Sequence, residues 1–598
     1  MHVTTTYQTR DEVPEQEKWR IEDIYPSIEA WEEDYRFLEN QIPKMKQFDG
    51  AIHSGTALYQ YLSQNEEMEG KFNLIYVYGM LQGDIDTRDT RAQSLLDLAR
   101  QLAVKMNGAT AFFMPFLLSL EESTLREYIQ QEPRLTYFEK DLFESFRYKD
   151  HVLSKEKEEL LSQLGEALSS PSQTFNMLNN ADIKFGEVTN DNGEKVELTR
   201  GMYSKWIEDE DREKRCQAYK AYYQPYLQLK NSIASTLSSN IKNNVTMARL
   251  RHYPSALEKG LFGDRVPKKV YEKLIASTKA NISSMHKYTA IRKQKLGVEE
   301  LRQYDMNAPL VDGVKMEISY DEAYDTILKA LAPLGEDYVK TLKTFKDARY
   351  IDVRETPGKR SGAYNLGVYG VHPFVLLNQH DDLDSMFTMV HEFGHAMHSW
   401  YSNSHQPKIS AGYSIFVAEV ASTVNEVLLI HYLLNKETDP AIRKYLVNHF
   451  IDQFRGTFFT QVMFAEFEKI THEMAESGKP LNVESFNQIY ESLFRQYNGD
   501  DIVFDEEVKY GWSRIPHFYR PFYVYKYATG FASAIHIAEK LLAGDRAILS
   551  AYLEFLKSGS SDYPLELLKK TGVDLTTSEP IDNALNRFEQ LVIEFASL

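Results

Sequence analysis

The stretch HEFGHAMHSW, residues 391–400, places three histidines and one glutamate in ten residues of a chain that holds only 16 histidines. In a helix of 3.6 residues per turn, His391 and His395 lie one turn apart on the same face, so both imidazoles can reach one ion. Glu392 then lies about 100° around the helix, beside that ion rather than on it. The stretch therefore predicts a helix that carries a metal site.

The spacing H-E-x-x-H is typical of zinc peptidases, in which it supplies two nitrogen ligands and a carboxylate that takes a proton from water at the metal. A chain of this composition would contain at most about 0.06 such motifs by chance when Asp is counted with Glu, and about half that when only Glu is counted. His398 returns to nearly the same helical face, either as a second-shell residue of the metal site or as a packed core histidine. A longer pattern with a third histidine is absent, because it needs glycine at 398 and histidine at 401, where this chain has His398 and Tyr401.

A catalytic zinc needs a third protein ligand, with one position left open for water. Glu419 follows His395 on a run of mostly apolar or small residues, SIFVAEVASTVNE, where a carboxylate needs a counter-charge. It is either that ligand or an exposed helical glutamate. Glu426 shares the same helical face, and either orients a histidine ligand from the second shell or is solvated.

Composition restricts the classes of protein that remain. The net charge of −19 argues against a nucleic-acid partner and against an anionic membrane, and favours a soluble protein. The start of the chain lacks the pattern of a secretory signal, and no run of 18 apolar residues occurs. A single cysteine, Cys216, excludes an internal disulfide framework and fits a reducing cytoplasm. The oligomeric state is open between monomer and homodimer.

The apolar spacing predicts a mainly α-helical chain of 598 residues. Residues 183–199 read as a β-hairpin, with Asp191-Asn192-Gly193 at its turn. A second strand-rich segment, residues 350–378, precedes the HExxH helix, for which Asp381, Asp382 and Asp384 provide an N-cap and first-turn charges. We predict a helical N-terminal domain over residues 1–198 that ends in the hairpin, and a catalytic domain over 199–598.

The run HFYRPFYVYKY, residues 517–527, is too polar for ordinary core. Phenol and imidazole donors are what an oxyanion needs. The alternative is that its aromatic rings pack a helix interface.

Four stretches together carry a resemblance to a known family. HEFGHAMHS followed by FVAEVAS resembles the thimet-oligopeptidase-like zinc metallopeptidases, while HFYRPFYVYKYATG and GAYNLGVYGVHPFVLLN are similar to their oligoendopeptidase F branch. The resemblance runs from about Thr199 to the C-terminus. The helical N-terminal part is more loosely similar and opens with the family-like KWRIEDIYPS.

The resemblance implies a large, helical, two-lobed zincin-type peptidase, with a small β-sheet beside the HExxH helix and a deep channel that admits short unstructured peptides. It implies one Zn²⁺ per chain, bound by His391, His395 and Glu419, with Glu392 as general base. Family members also hold a histidine and tyrosines that contact the substrate carbonyl. The matching residues are His517 and Tyr527 first, then Tyr519 and Tyr523.

The function expected is that of a zinc-dependent endopeptidase for oligopeptides. The strand-forming segment that begins at Gly362, Ala363 and Tyr364 could present an unpaired edge, to which an extended substrate adds as a strand. One alternative is a peptidyl-dipeptidase or carboxypeptidase of the same chemistry, which would need Arg514, Arg520 or Lys526 to grip a terminal carboxylate. The other is a non-catalytic helical peptide-binding protein.

Overall fold

A small β-sheet packs against the helix of the HExxH motif in a structure that is otherwise mostly helical. The computed structural model describes residues 7–190, 192–311 and 316–598. Within these residues the α-helices are α1 Ile28–Met45, α2 Gly55–Ile85, α3 Thr90–Thr110, α4 Phe113–Ser119, α5 Glu122–Gln131, α6 Glu139–Phe146, α7 Lys155–Met177, α8 Arg200–Trp206, α9 Arg212–Gln228, α10 Lys230–Leu250, α11 Ala256–Phe262, α12 Lys268–Ala280, α13 Ser283–Leu296, α14 Tyr320–Ala330, α15 Glu336–Asp347, α16 Leu383–His405, α17 Lys408–Ala411, α18 Ile415–Lys436, α19 Pro440–Gln453, α20 Thr460–Glu476, α21 Val483–Asn498, α22 Tyr525–Leu542, α23 Arg546–Lys557, α24 Pro564–Lys570 and α25 Glu579–Ser597. The predicted mainly helical fold is confirmed.

The strands lie in the two segments that the sequence predicts. Strands β1 (Glu187–Thr189) and β2 (Lys195–Glu197) form the antiparallel hairpin, with Val188 opposite Val196. Asp191, predicted at its turn, lies outside the described residues. The second sheet has the order β3-β5-β4, where β3 is Ile351–Asp352, β4 Tyr364–Leu366 and β5 Phe374–Leu376. β5 pairs parallel with β3 and antiparallel with β4.

The chain divides into two compact units that interleave along the sequence. The first comprises Met1–Val152, Met316–Ser414 and Leu549–Asp562, and the second comprises Leu153–Lys315, Ile415–Ile548 and Tyr563–Leu598. The domain boundary predicted between residues 198 and 199 stays a prediction.

In the first unit, a core of buried side chains joins the N-terminal helices to the sheet. Trp31 of α1 and Tyr61 of α2 are buried in the same cluster as Phe374 and Leu376 of β5. Helix α16 packs against β4 and β5, and also against α14 and α15. This packing explains why the HExxH helix is apolar on most of its circumference: only a narrow part of its surface can carry the site.

The second unit is built around α18 and α22. These two helices pack against each other along much of their length, and α22 also contacts α20 and α25. The helices are close at Gly530 of α22, where an added Cβ would lie 3.4 Å from the Cβ of Glu419 on α18, an ordinary van der Waals contact. Burial of the apolar faces stabilises both helices by roughly 25 cal/mol per Å² of apolar surface removed from water.

Two helical stretches of the described chain, Thr90–Ser119 and Ile415–Lys436, are long and apolar enough to pass a membrane-span test of length and composition. The apolar window of Ile415–Lys436 is 67% buried inside the protein, as expected for a core helix. Two such helices are weak support for a membrane location.

Candidate metal centre and active site

Helix α16 begins where the sequence predicts, and it carries the histidine pair. Its N-cap is Asp382, whose side chain accepts a hydrogen bond from the backbone N–H of Ser385 at 2.8 Å, with Asp384 in the first turn. One turn apart on this helix, the Nε2 atoms of His391 and His395 lie 3.1 Å apart, with ring planes at 86°. Both nitrogens therefore point at a common position.

Glu419 of α18 completes a three-residue donor set. One ligand atom from each of His391, His395 and Glu419 lies within 4.8 Å of the other two. In tetrahedral zinc sites with Zn–N bonds of about 2.0–2.1 Å, two ligand nitrogens are about 3.3 Å apart, close to the separation found here. Two neutral imidazoles and a carboxylate are also the ligand types of catalytic zinc sites. The residues present thus fit a metal ion.

Glu392 follows His391 in the helix and is buried, whereas His391 and His395 are half-buried. A burial cost of several kcal/mol disfavours an isolated ionised carboxylate in such surroundings. A cation at the neighbouring histidine pair would offset this cost.

A chain of hydrogen bonds holds the histidine-bearing turn of α16. The Tyr413 hydroxyl donates to the backbone carbonyl of His395 at 3.3 Å and lies 2.9 Å from the Ser399 hydroxyl. Ser399 in turn accepts from the Asn365 amide of β4 at 3.2 Å. None of these three residues was predicted from the sequence. Asn365 lies within the family-like segment GAYNLGVYG, which is the one signal that pointed towards them.

His398 lies in the core beneath the same turn. Its ring stacks on Tyr413 with centroids 3.7 Å apart and also contacts Phe555. Its Nδ1 has no hydrogen-bond partner in the described structure, and burial lowers the pKa of the imidazole to about 3. The ring is therefore neutral at physiological pH. Its second-shell role stays a prediction.

The two glutamates of α18 have different surroundings. The Ser422 hydroxyl lies 3.4 Å from Glu419 Oε2 and donates to the Glu419 backbone carbonyl at 3.1 Å. Glu426 accepts a hydrogen bond from the Gln453 amide of α19 at 3.1 Å. Only Glu419 belongs to the donor set around the histidine pair.

Three of the four predicted oxyanion donors lie together in the second unit. The His517 ring lies 6.2 Å from that of Tyr523 and 6.1 Å from that of Tyr527, and the two tyrosine rings are 5.4 Å apart. Burial, the hydrogen bond with Tyr523 and the charge of Glu419 all raise the pKa of Tyr527. Burial and the Arg520 charge lower the pKa of His517. Tyr527 is therefore a protonated phenol that can donate a hydrogen bond.

Tyr519, the fourth predicted donor, does not belong to this cluster. Its hydroxyl lies 2.7 Å from the Thr236 hydroxyl of α10, and its ring stacks on Phe175 of α7 with centroids 4.2 Å apart. These contacts are those of a packed tyrosine, with its polar end satisfied.

Strand β4, which carries Tyr364, is an edge strand in the part of the chain that the structure describes, since it pairs with β5 alone. The Tyr364 hydroxyl donates to buried Asp84 of α2 at 2.7 Å, and Arg360 also pairs with Asp84 at 3.2 Å. Gly362 just before the strand has φ = +84°, and its carbonyl accepts from the Asn378 amide at 2.7 Å. The strand is thus fixed to the first unit on one side and has one edge without a strand neighbour among the described residues.

The three cations considered for gripping a terminal carboxylate differ in their contacts. Lys526 pairs with Asp264 at 2.6 Å, and Arg514 donates to the Tyr223 hydroxyl at 2.8 Å. Arg520 is exposed, with its guanidinium 4.2 Å from the centre of the Tyr523 ring. Two of the three are therefore committed to partners inside the protein.

The known proteins that are similar to this chain are peptidases, in agreement with the donor set found here. Residues 206–587 match the model of peptidase family M3, and residues 117–185 match that of the oligopeptidase F N-terminal region. Oligopeptidase PepF of Bacillus subtilis is 41% identical over 98% of this chain and 88% of its own length. Group B oligopeptidase PepB of Streptococcus agalactiae is 37% identical over 98% of each chain.

Two solved structures are also similar to this chain in sequence and in fold. A structure from Chlamydophila abortus is 34% identical, covers 99% of each chain and has a TM-score of 0.91. Oligoendopeptidase-F from Enterococcus faecium is also 34% identical, covers 95% of this chain and 98% of its own, and has a TM-score of 0.76. Such relatives, together with a donor set suited to a catalytic metal, remove the non-catalytic alternative. The chain belongs to peptidase family M3, as an oligopeptide-cleaving metalloendopeptidase of the oligoendopeptidase F type.

Proposed function

We propose that the catalytic metal is a single zinc ion, held by His391, His395 and Glu419. The observation that carries this proposal is the 3.1 Å separation of the two Nε2 atoms, with a Glu419 oxygen within 4.8 Å of them. When bound, zinc would supply Lewis acidity to a water molecule and to the scissile carbonyl. A site with three protein ligands leaves a position open for this chemistry.

Glu392 acts as the general base. It follows His391 on the same helical turn, and its burial keeps competing water away from the carboxylate. The carboxylate takes a proton from the attacking water and then delivers it to the nitrogen of the leaving amine, so one residue serves both halves of the reaction.

His517 and Tyr527 supply hydrogen bonds to the oxyanion that develops on the scissile carbonyl, with Tyr523 as their neighbour. The raised pKa of Tyr527 supports this role, because a phenol must keep its proton to donate it. The contacts of Tyr519 with Thr236 and Phe175 support a structural role instead.

The substrate backbone pairs with the edge strand that begins at Gly362, Ala363 and Tyr364. Pairing through backbone hydrogen bonds gives affinity that does not depend strongly on side chains. Extended oligopeptides are therefore the substrates, and a folded protein lacks the free backbone groups that such pairing needs. His398 and Glu426 support the centre from outside the ligand set. A cytoplasmic location fits the charge and the single cysteine.

The test is incubation of the purified enzyme with mixed oligopeptides and one folded protein, with and without a chelator, with mass spectrometry of the products and metal analysis of the enzyme. We expect internal cleavage of the peptides only, loss of cleavage with chelator and its return with zinc. Intact peptides under all conditions would contradict the proposal, and so would removal of C-terminal residues alone.

A further inference from the structure

The backbone makes a turn at Phe522, between His517 and the two tyrosines of the proposed oxyanion site. Phe522 has φ = +56°, in the left-handed region that L-residues with a bulky side chain rarely adopt. Such a conformation persists only where the surrounding structure holds it, and it is common at functional sites. The turn brings the His517 ring back to within about 6 Å of Tyr523 and Tyr527.

A buried carboxyl group holds this turn. Glu468 of α20 is only 1% exposed, and its Oε1 accepts the backbone N–H of Phe522 at 3.1 Å. Its Oε2 has no hydrogen-bond partner in the described structure. Burial raises the pKa of this carboxyl well above its usual value. The mechanism proposed above does not use Glu468.

The Phe522 ring fits a slot prepared for it. A Cβ at Gly260 of α11 would lie 2.8 Å from Phe522 Cδ2, so only glycine leaves room for the ring there. On another side the ring packs against His472, with ring centroids 4.7 Å apart. His472 is itself fixed, because its Nδ1 lies 2.7 Å from the backbone carbonyl of Glu468 and its Nε2 lies 3.3 Å from the Asn244 amide.

We propose that Glu468 is a positioning residue of this peptidase, which sets the oxyanion donors His517 and Tyr527 by holding the left-handed turn at Phe522. The inference rests on the proposed function of those two donors. Loss of the acceptor would leave a buried N–H unsatisfied, and the turn would relax toward an ordinary backbone conformation. The donors would then shift relative to the scissile carbonyl, and small misplacements of catalytic groups have large effects on rate.

The test compares Glu468→Ala with Glu468→Gln in the full-length, metal-loaded enzyme. We expect Glu468→Ala to lower kcat by about 10- to 100-fold with little change in KM and full metal content. Glu468→Gln should retain most of the activity, because the side chain keeps nearly the same shape and its amide oxygen still accepts the Phe522 N–H. Gly260→Ala, which displaces the Phe522 ring from the other side, should lower kcat in the same way.

Glu466 provides a matched control on the same helix. It is also buried and accepts hydrogen bonds from Tyr497 at 2.9 Å and Lys279 at 2.7 Å, neither of which belongs to the turn. Glu466→Ala should lower the melting temperature without lowering kcat. If Glu468→Ala gives this same pattern, Glu468 is merely structural and the inference is overturned.

Two further variants, Tyr527→Phe and the double variant Glu468→Ala/Tyr527→Phe, distinguish failure of this inference from failure of the proposed donor role of Tyr527. If Tyr527→Phe lowers kcat and the double variant is no slower than the worse single variant, Glu468 acts through the donors. If Tyr527→Phe lowers kcat but Glu468→Ala does not, the inference fails and the proposed function stands. If Tyr527→Phe and His517→Ala are both silent, the donor assignment fails and the positioning role falls with it.

Discussion

The side chain of Asn365 on the edge strand β4 donates a hydrogen bond to Ser399 on the HExxH helix α16, at 3.2 Å. Ser399 also lies 2.9 Å from the hydroxyl of Tyr413, which donates to the backbone carbonyl of His395. The strand proposed to bind the substrate backbone is thus tied to the helix that carries His391 and His395, two of the three proposed metal ligands. A peptide paired with β4 would be held in a fixed position relative to His395.

Asn365→Ala should therefore lower kcat/KM by about 10-fold, because a peptide on a shifted strand presents its carbonyl out of place. We expect zinc content to be unchanged, since none of the ligands is altered. Steady-state kinetics with one oligopeptide and metal analysis check this. Asn378→Ala, which removes hydrogen bonds to the carbonyls of Arg360 and Gly362 instead, is a comparison at the same sheet. An Asn365→Ala enzyme with wild-type kcat/KM would show that the link does not serve catalysis.

Glu392→Gln should retain zinc and lose hydrolysis by about 10²- to 10⁴-fold, because the amide keeps the shape of the side chain but cannot accept a proton. Metal analysis beside a turnover assay checks this. A variant that cleaves peptides at nearly the wild-type rate would remove Glu392 from the role of general base.

Glu419→Ala should lower zinc content strongly, as should replacement of His391 or His395, because two protein ligands do not hold a catalytic zinc. Glu426→Ala is the comparison on the same helix, and should weaken zinc binding less than Glu419→Ala does, because its carboxylate bonds Gln453 and lies outside the donor set. Equilibrium dialysis against zinc buffers measures both affinities. If Glu426→Ala loses the metal and Glu419→Ala does not, the third ligand has been misassigned.

Tyr527→Phe and His517→Ala should each lower kcat by about 10²- to 10³-fold with smaller changes in KM, because an oxyanion donor acts in the transition state. Tyr519→Phe should keep kcat within a few-fold and show its effect as a lower melting temperature, through loss of the hydrogen bond with Thr236. Kinetics and melting curves for the three variants decide the roles. A slow Tyr519→Phe enzyme beside an active Tyr527→Phe enzyme would reverse the assignment.

His472 should make the folded state less stable in acid. Burial lowers the pKa of its imidazole to about 4, against about 6.5 in the unfolded chain. Above pH 6.5 neither state is protonated, so the free energy of unfolding is unaffected. Between pH 6.5 and 4 only the unfolded state takes up the proton, so stability falls by about 1.4 kcal/mol per pH unit, about 3 kcal/mol in all.

His472→Gln should accordingly show a shallower loss of stability between pH 6.5 and 4. Urea unfolding of the chelated protein across this range measures it, because chelation removes any contribution from metal release. His53→Gln, at an exposed position, serves as the control and should follow the parent protein. Equal pH slopes for His472→Gln and the parent would contradict the assignment.

The local features of this protein followed from its sequence, because they depend on neighbours a few residues apart. The i, i+4 spacing of His391 and His395 sets them on one helical face, and Asp382 caps that helix as expected. The alternating residues on either side of the turn near Gly193 form the predicted hairpin. The strand-rich segment before α16 likewise contains β3, β4 and β5.

Only the tertiary structure decided which distant residues meet. Spacing alone left Glu419 either as a metal ligand or as an exposed helical glutamate. In the structure its carboxylate belongs to the donor set of His391 and His395, although it lies on a different helix. His398, at a helical position that also suits a second-shell residue, is buried beneath Tyr413, because the packing of that turn covers it. Of the four candidates in residues 517–527, His517, Tyr523 and Tyr527 form a cluster, whereas Tyr519 packs against Phe175. A left-handed turn at Phe522 lies between His517 and the two clustered tyrosines. That turn depends on a glycine and a glutamate more than 50 residues away in the chain, whose contact with it no local pattern encodes.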